Sequence, residues 1–152
     1  MCEASAAGLF EASEEAVFGA APDFVADYSD STKLADEAAT TLVRTSFSTV
    51  VRESKDLSCA LFDTLGCSLS QAAMSMPAFT GTMPLTMKHF LKRYPVEKWQ
   101  AGDVVITNDP WLGSGHLPDI SMALPIFRGE RPVGFTFLVA HAPDIGGRTL
   151  SA

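Results

Sequence analysis

Residues 119–141, DISMALPIFRGERPVGFTFLVAH, carry the clearest structural pattern in this chain. Large apolar side chains alternate with smaller or polar ones in both of its halves, which is the pattern of half-buried β-strands. These apolar residues are Ile120, Met122, Leu124, Ile126, Val133, Phe135, Phe137 and Val139. Arg128-Gly-Glu-Arg131 lies between the halves and is typical of a turn. The stretch therefore predicts an antiparallel hairpin.

Three ionisable residues flank the open end of this hairpin. His116 and Asp119 lie at the start of the first strand, and His141 follows the second. If Phe127 pairs with Val133 across the turn, Asp119 lies opposite His141, to within one residue of register. His116 is only three residues from Asp119 across a proline-containing turn. We therefore expect the three side chains to converge.

Two imidazoles and a carboxylate form a donor set that suits a divalent zinc, manganese or iron ion. With three protein ligands, such a site keeps open coordination positions, as catalytic metal sites do. A structural alternative is that His141 is a hydrogen-bonded core histidine while His116 and Asp119 cap a turn. Spacing alone favours this alternative, because a histidine is more often structural than ligating.

The rest of the chain predicts helices and further strands around the hairpin. The predicted elements are a helix over about 32–50, strands over 57–62 and 67–72 with a turn between them, a helix over about 84–94 and a strand over 103–107. Leu34, Ala38 and Leu42 form the expected apolar stripe of the first helix, with Ala35, Ala39 and Val43 beside it. We expect an α+β fold, with a mostly antiparallel sheet and helices covering one face.

Composition excludes several classes of protein. The chain has 152 residues, of which 47% are hydrophobic and 19% charged, so it is expected to form one folded domain rather than to be disordered. No apolar run is long enough to cross a membrane. The net charge is −7, and without a basic face nucleic acid is not an expected partner. Of the three cysteines, Cys59 alternates into an apolar strand and is expected to be an inert buried thiol.

The acidic excess is confined to the first third of the chain. Residues 1–50 hold nine acidic and two basic residues, whereas residues 51–152 are balanced. We expect residues 1–31 to form a weakly ordered acidic leader and residues 32–152 to form the domain. Because no basic residue precedes Lys33, no secretory signal or transit peptide is expected, and the cytoplasm is the expected compartment.

Four motifs occur in a characteristic order along residues 32–147. They are Arg44-Thr-Ser-Phe-Ser48, Lys55-Asp-Leu-Ser-Cys-Ala-Leu-Phe-Asp63, the run GDVVITNDPWLGSGHLPDI over 102–120, and Ala140-His-Ala-Pro-Asp-Ile-Gly-Gly147. Together they resemble the hydantoinase B/oxoprolinase family. Family members are several hundred residues long, so the resemblance implies that this chain is the N-terminal portion of a larger family fold: a fragment, a truncated product or one part of a split subunit.

The resemblance implies a two-part enzyme. A hydantoinase A-like partner would bind ATP and activate the substrate, and the part resembling this chain would carry a metal and complete the hydrolysis of a small cyclic amide. The implied ligands are Asp56, His116 and His141, with Asp119 as a further ligand or a supporting residue. By its residues alone, Asp56 belongs to a charged cluster that is typical of a solvated loop. Asp144, beside His141 in a turn, is the candidate general base.

Two rival hypotheses remain. The first is a subunit of an ATP-dependent ketone carboxylase with the same metal site, since the resemblance extends to the related acetone and acetophenone carboxylases, in which this part completes a carboxylation. The second is a catalytically inert fragment that only binds a partner. In each enzyme hypothesis the chain acts in a hetero-oligomer, and ATP is bound by the partner, because the chain has neither of the glycine-rich nucleotide-binding motifs.

Overall fold

The computed structural model describes residues 28–143 of the chain. Its helices are α1 (Tyr28–Thr45), α2 (Pro77–Thr80) and α3 (Thr82–Arg93), with a π-helix over Val50–Ser54 and a 3₁₀ turn over Val96–Lys98. Its strands are β1 (Leu57–Phe62), β2 (Ser68–Gln71), β3 (Val105–Thr107), β4 (Asp119–Arg128) and β5 (Arg131–His141). The leader predicted over 1–31 lies almost wholly outside the described residues.

The strands form one antiparallel sheet in the order β2-β1-β5-β4-β3. The long hairpin of β4 and β5 is therefore its centre, and the short hairpin of β1 and β2 extends it on one side. This confirms the α+β class and the antiparallel sheet. No helix among residues 28–143 is long and apolar enough to cross a membrane.

Aromatic side chains of β5 form the main core on one face of the sheet. Phe135 and Phe137 are fully buried, and Phe137 lies edge-on to Phe62 with ring centroids 5.6 Å apart. Helix α3 covers this face with Met87 and Phe90, whose spacing was predicted from the sequence. Burial of these large rings is the main contribution to stability on this side.

The opposite face of the sheet packs against α1, so the described part of the chain has helices on both faces of the sheet. Ala35 and Ala39 of α1 form a second buried cluster with Leu57 and Cys59 of β1. Burial raises the pKa of the Cys59 thiol to about 11, so the thiolate is scarce at neutral pH. The structure thus agrees with the expectation of an inert thiol.

Helix α1 also differs in detail from its prediction. It ends at Thr45, before a π-helical turn, rather than near residue 50. Its buried stripe is Ala35 and Ala39, whereas Leu34, in the predicted stripe, is 54% exposed. The larger Leu42 and Val43, further along the helix, are partly buried against the same cluster.

The turn between β1 and β2 is fastened by one carboxylate. Oδ1 of Asp63 accepts the backbone N–H groups of Leu65 at 2.9 Å and Cys67 at 2.7 Å. Burial raises the pKa of Asp63, and the backbone hydrogen bonds from Cys67, Leu65 and Gly66 only partly oppose this. The ionised carboxylate therefore has a desolvation cost, although it accepts hydrogen bonds from the backbone N–H groups of the turn.

We expect Asp63→Asn and Asp63→Ala to have opposite consequences. Alanine removes the acceptor and should lower the free energy of unfolding by about 1–2 kcal/mol. Asparagine keeps an oxygen acceptor without the charge, so it should be neutral or stabilising at pH 7. Because the pKa of Asp63 is raised on folding, stability from its protonated form is lost as the pH rises through that pKa. Urea titrations should therefore show that the free energy of unfolding of Asp63→Asn, relative to that of the wild type, increases as the pH rises. If both variants lose the same free energy of unfolding, this explanation is wrong.

Candidate metal centre

The hairpin brings His116, Asp119 and His141 together at one end of the sheet. Asp119 is paired with His141 across β4 and β5, as the sequence predicted. The residue pair from which that register was predicted is itself displaced: an irregularity after Ile126 pairs Phe127 with Pro132 rather than with Val133. The irregularity lies next to the turn, and the register beyond it is the predicted one.

The Asp119 carboxylate lies between the two imidazoles. Its Oδ2 is 2.7 Å from Nε2 of His116, and its Oδ1 is 3.1 Å from Nδ1 of His141. The side chain of Asp119 is only 2% exposed, and the two imidazole rings are 5.2 Å apart by their centroids. One ligand atom from each of the three residues can be chosen so that all lie within 4.8 Å of one another. This spacing allows them to share one ion.

Asp56, which directly precedes β1, lies beside this cluster. Its backbone oxygen accepts the N–H of His141 at 3.1 Å, and its Oδ2 lies 3.7 Å from Nδ1 of the same histidine. The preceding Lys55 has a left-handed backbone with φ of 56°, which ends the π-helix and turns the chain into β1. Asp56 is thus beside the three-residue cluster, at a longer distance than Asp119, rather than in a solvated loop.

The loop over residues 108–118 positions His116. Its first turn is closed by Asp109, whose backbone oxygen accepts the N–H of Gly113 at 2.9 Å. The hydroxyl of Thr86 in α3 donates to the carbonyl oxygen of Leu112 at 2.7 Å, which fastens the loop to the helix. Gly115 has φ of +100°, a conformation that side chains disfavour, immediately before His116. The loop therefore presents a histidine, as predicted from its turn-forming residues.

Ser114 is a site residue that the sequence did not reveal. Its hydroxyl donates a hydrogen bond to Oδ2 of Asp119, the same oxygen that faces His116. In the sequence Ser114 is one of several small residues in a loop, and only the folded path of that loop brings it back to Asp119. The sequence shows only a polar residue between two glycines, and this pattern does not indicate which residue the serine contacts.

Asp144, the predicted general base, lies outside the described residues, so its role stays a prediction. His89 lies on the exposed side of α3 and is not part of the cluster. The structure thus brings together three of the four predicted metal ligands and places the fourth, Asp56, beside them.

Known proteins are similar to this chain in sequence. The family model for hydantoinase B/oxoprolinase matches residues 29–152. A protein named as the B component of a D-/L-hydantoinase from Pseudomonas sp. (strain NS671) is 34% identical over 110 residues, which are 71% of this chain and 19% of that protein. The 5-oxoprolinase 1 of Arabidopsis thaliana is 39% identical over 116 residues, covering 76% of this chain and 9% of the plant protein.

Two solved structures resemble the fold. The ATP-dependent caprolactamase from Pseudomonas jessenii superposes with a TM-score of 0.68 and 31% identity, over 84% of this chain and 22% of that one. A nucleotide-free acetone carboxylase superposes with a TM-score of 0.65 and 21% identity, over 86% of this chain and 19% of that one, a likeness of fold alone. The chain spans about a fifth or less of the length of these proteins. By its family match and its sequence identity, the chain belongs to the hydantoinase B/oxoprolinase family.

Proposed function

We propose that this chain carries the metal-binding portion of an ATP-dependent cyclic-amide hydrolase of the hydantoinase or 5-oxoprolinase type. The observation that carries the proposal is the convergence of His116, Asp119 and His141 at one end of the sheet. The names of the hydantoinase, oxoprolinase and caprolactamase relatives support a substrate with a carbon–nitrogen bond in a ring.

The donor set fits a divalent ion of the zinc, manganese or iron class. Nε2 of His116 and Nδ1 of His141 are the ring nitrogens that face the Asp119 carboxylate, so they are the atoms that would bind. Asp56 would add an oxygen from the other side of His141. A mixed set of imidazoles and carboxylates suits these metals better than calcium or magnesium, which prefer oxygen alone.

Each residue of the site has a distinct role in the proposed reaction. When bound, the ion supplies Lewis acidity that polarises a substrate carbonyl. His116 and His141 hold it, and Asp119, shielded from water, keeps the two imidazoles in place or contributes an oxygen of its own. We assign the general-base role to Asp144, because it follows His141 by three residues.

The proposed reaction requires a partner protein. ATP would be bound by a hydantoinase A-like protein in a cytoplasmic hetero-oligomer, and the relative named as one component of a hydantoinase supports such an arrangement. The rival hypothesis of a ketone carboxylase subunit rests on a likeness of fold to acetone carboxylase. The hydantoinase relative and the caprolactamase structure are each more than 30% identical to this chain, and their names favour cyclic amides.

A chimera tests this function, because the chain covers only part of its relatives. We expect residues 29–152, exchanged for the matching segment of an active hydantoinase B protein, to support ATP-dependent opening of the hydantoin ring when the hydantoinase A protein is present. The activity should disappear in the same chimera with His116→Ala and persist with His89→Ala. Product formation would be followed by chromatography.

The chimera also distinguishes the proposed hydrolase from an inert binding fragment. A folded chimera that takes up metal yet opens no cyclic amide would contradict the proposal and favour an inert binding fragment. ATP hydrolysis by the isolated chain would contradict the assignment of ATP to the partner.

A further inference from the structure

The buried carboxylate of Asp119 has one hydrogen-bond donor that does not depend on whether a metal ion is bound, and the loop over residues 108–118 supplies it. In the described part of the chain, the side chains that contact its carboxylate are those of His116, His141 and Ser114. The carboxylate is almost fully buried, so water cannot replace a missing partner, and an unsatisfied buried carboxylate is costly.

Metal binding changes which of these groups can donate. A nitrogen that binds an ion does so through its lone pair and carries no hydrogen. If Nε2 of His116 and Nδ1 of His141 bind, neither can donate to Asp119 any longer. The hydroxyl of Ser114 keeps its hydrogen in both states, and it already donates to Oδ2.

The attachment of Ser114 also selects one oxygen of the carboxylate. Oδ2 accepts the hydroxyl, whereas Oδ1 faces Nδ1 of His141, with Oδ2 of Asp56 3.7 Å from that same nitrogen. The hydrogen bond from Ser114 to Oδ2 therefore restricts rotation of the Asp119 carboxylate and keeps its Oδ1 directed at Nδ1 of His141.

We propose that Ser114 is a positioning residue of the metal centre, whose hydroxyl holds the Asp119 carboxylate in its orientation when the histidines bind an ion. The inference rests on the proposed metal site and adds a residue to it. Loss of a residue that supports a metal ligand typically weakens metal binding 10–100-fold. The effect of Ser114 should fall on metal affinity rather than on the stability of the metal-free chain, because without metal the histidines can donate in its place.

The test measures zinc binding by calorimetry and the melting temperature of the metal-free chain. Ser114→Ala should weaken zinc binding about tenfold or more. It should leave the metal-free melting temperature within about one degree, a shift smaller than the roughly 2–4 °C that a loss of 1 kcal/mol causes in a domain of about 150–250 residues. Ser114→Thr and Ser114→Val form a matched pair of nearly equal size, of which only threonine keeps the hydroxyl. Threonine should restore the affinity and valine should not. Ser75→Ala, whose hydroxyl has no hydrogen-bond partner within the described residues, is the control and should change neither quantity.

The outcomes separate the inference from the function on which it rests. If the wild type binds zinc and Ser114→Ala binds it equally well, the role of Ser114 is wrong while the site stands. If threonine and valine behave alike, the hydroxyl is irrelevant, and the same conclusion follows. If Ser114→Ala lowers the melting temperature of the metal-free chain but leaves the zinc affinity unchanged, Ser114 has only a structural role in the loop and the inference is wrong. A wild-type chain that takes up no ion overturns the proposed function and this inference together.

Discussion

We expect His116→Ala and His141→Ala each to abolish the stabilisation of the chain by a divalent ion. Each substitution removes one of the two nitrogens that face Asp119, and the remaining residues offer too few donors in the same place. In the wild type, an ion at a hundredfold excess over its Kd should stabilise the fold by about 2.7 kcal/mol. Thermal unfolding with and without the ion measures this difference.

The chain provides a matched control in its third histidine. His89 lies on the exposed side of α3, so His89→Ala removes an imidazole without touching the cluster. It should leave the metal-dependent shift unchanged. If neither His116→Ala nor His141→Ala reduces the shift, or if His89→Ala reduces it as much, the two histidines return to the structural role that their spacing alone favoured.

The second large effect concerns the core. Phe137→Ala should lower the free energy of unfolding by about 3–5 kcal/mol, because it leaves a cavity in a close-packed interior. The ring of Phe137 is fully buried at the centre of the sheet, 5.6 Å from Phe62 and 5.9 Å from Phe90 by ring centroids. A loss of this size threatens folding of a domain whose total stability is typically about 5–15 kcal/mol. Urea unfolding followed by circular dichroism measures it.

Phe47 provides the comparison for this core substitution. It follows α1 and is 99% exposed, so Phe47→Ala should change stability by no more than about 0.5 kcal/mol. A loss below about 1 kcal/mol for Phe137→Ala, or equal losses for the two variants, would contradict the register that places Phe137 between the sheet and α3.

The hairpin is the part of the fold that sequence alone predicts best. Alternation along β4 and β5 defines two strands and a short turn, and the register that follows aligns Asp119 with His141. The irregularity after Ile126 cannot be foreseen, since it depends on how the turn and the proline beyond it fit together. It leaves the site intact because it is confined to the turn end of the hairpin.

Residues outside the hairpin were harder to place from sequence. Asp56 was identified through the family resemblance, because its approach to His141 depends on the left-handed turn at Lys55. The role of Ser114 cannot be predicted from the sequence, because its hydrogen bond to Asp119 depends on the path of a loop that Thr86 holds against α3. Periodicity describes regular elements, whereas these contacts arise from packing between elements that are distant in sequence.

The proposed metal centre requires that one ion binds between His116, Asp119 and His141. A crystal structure of the chain grown with zinc, with anomalous diffraction recorded on both sides of the zinc absorption edge, tests it most directly. We expect one strong anomalous peak within about 2.0–2.2 Å of Nε2 of His116 and Nδ1 of His141, with an oxygen of Asp119 or Asp56 completing the set. A peak elsewhere, or no peak at these nitrogens at saturating zinc, would contradict it.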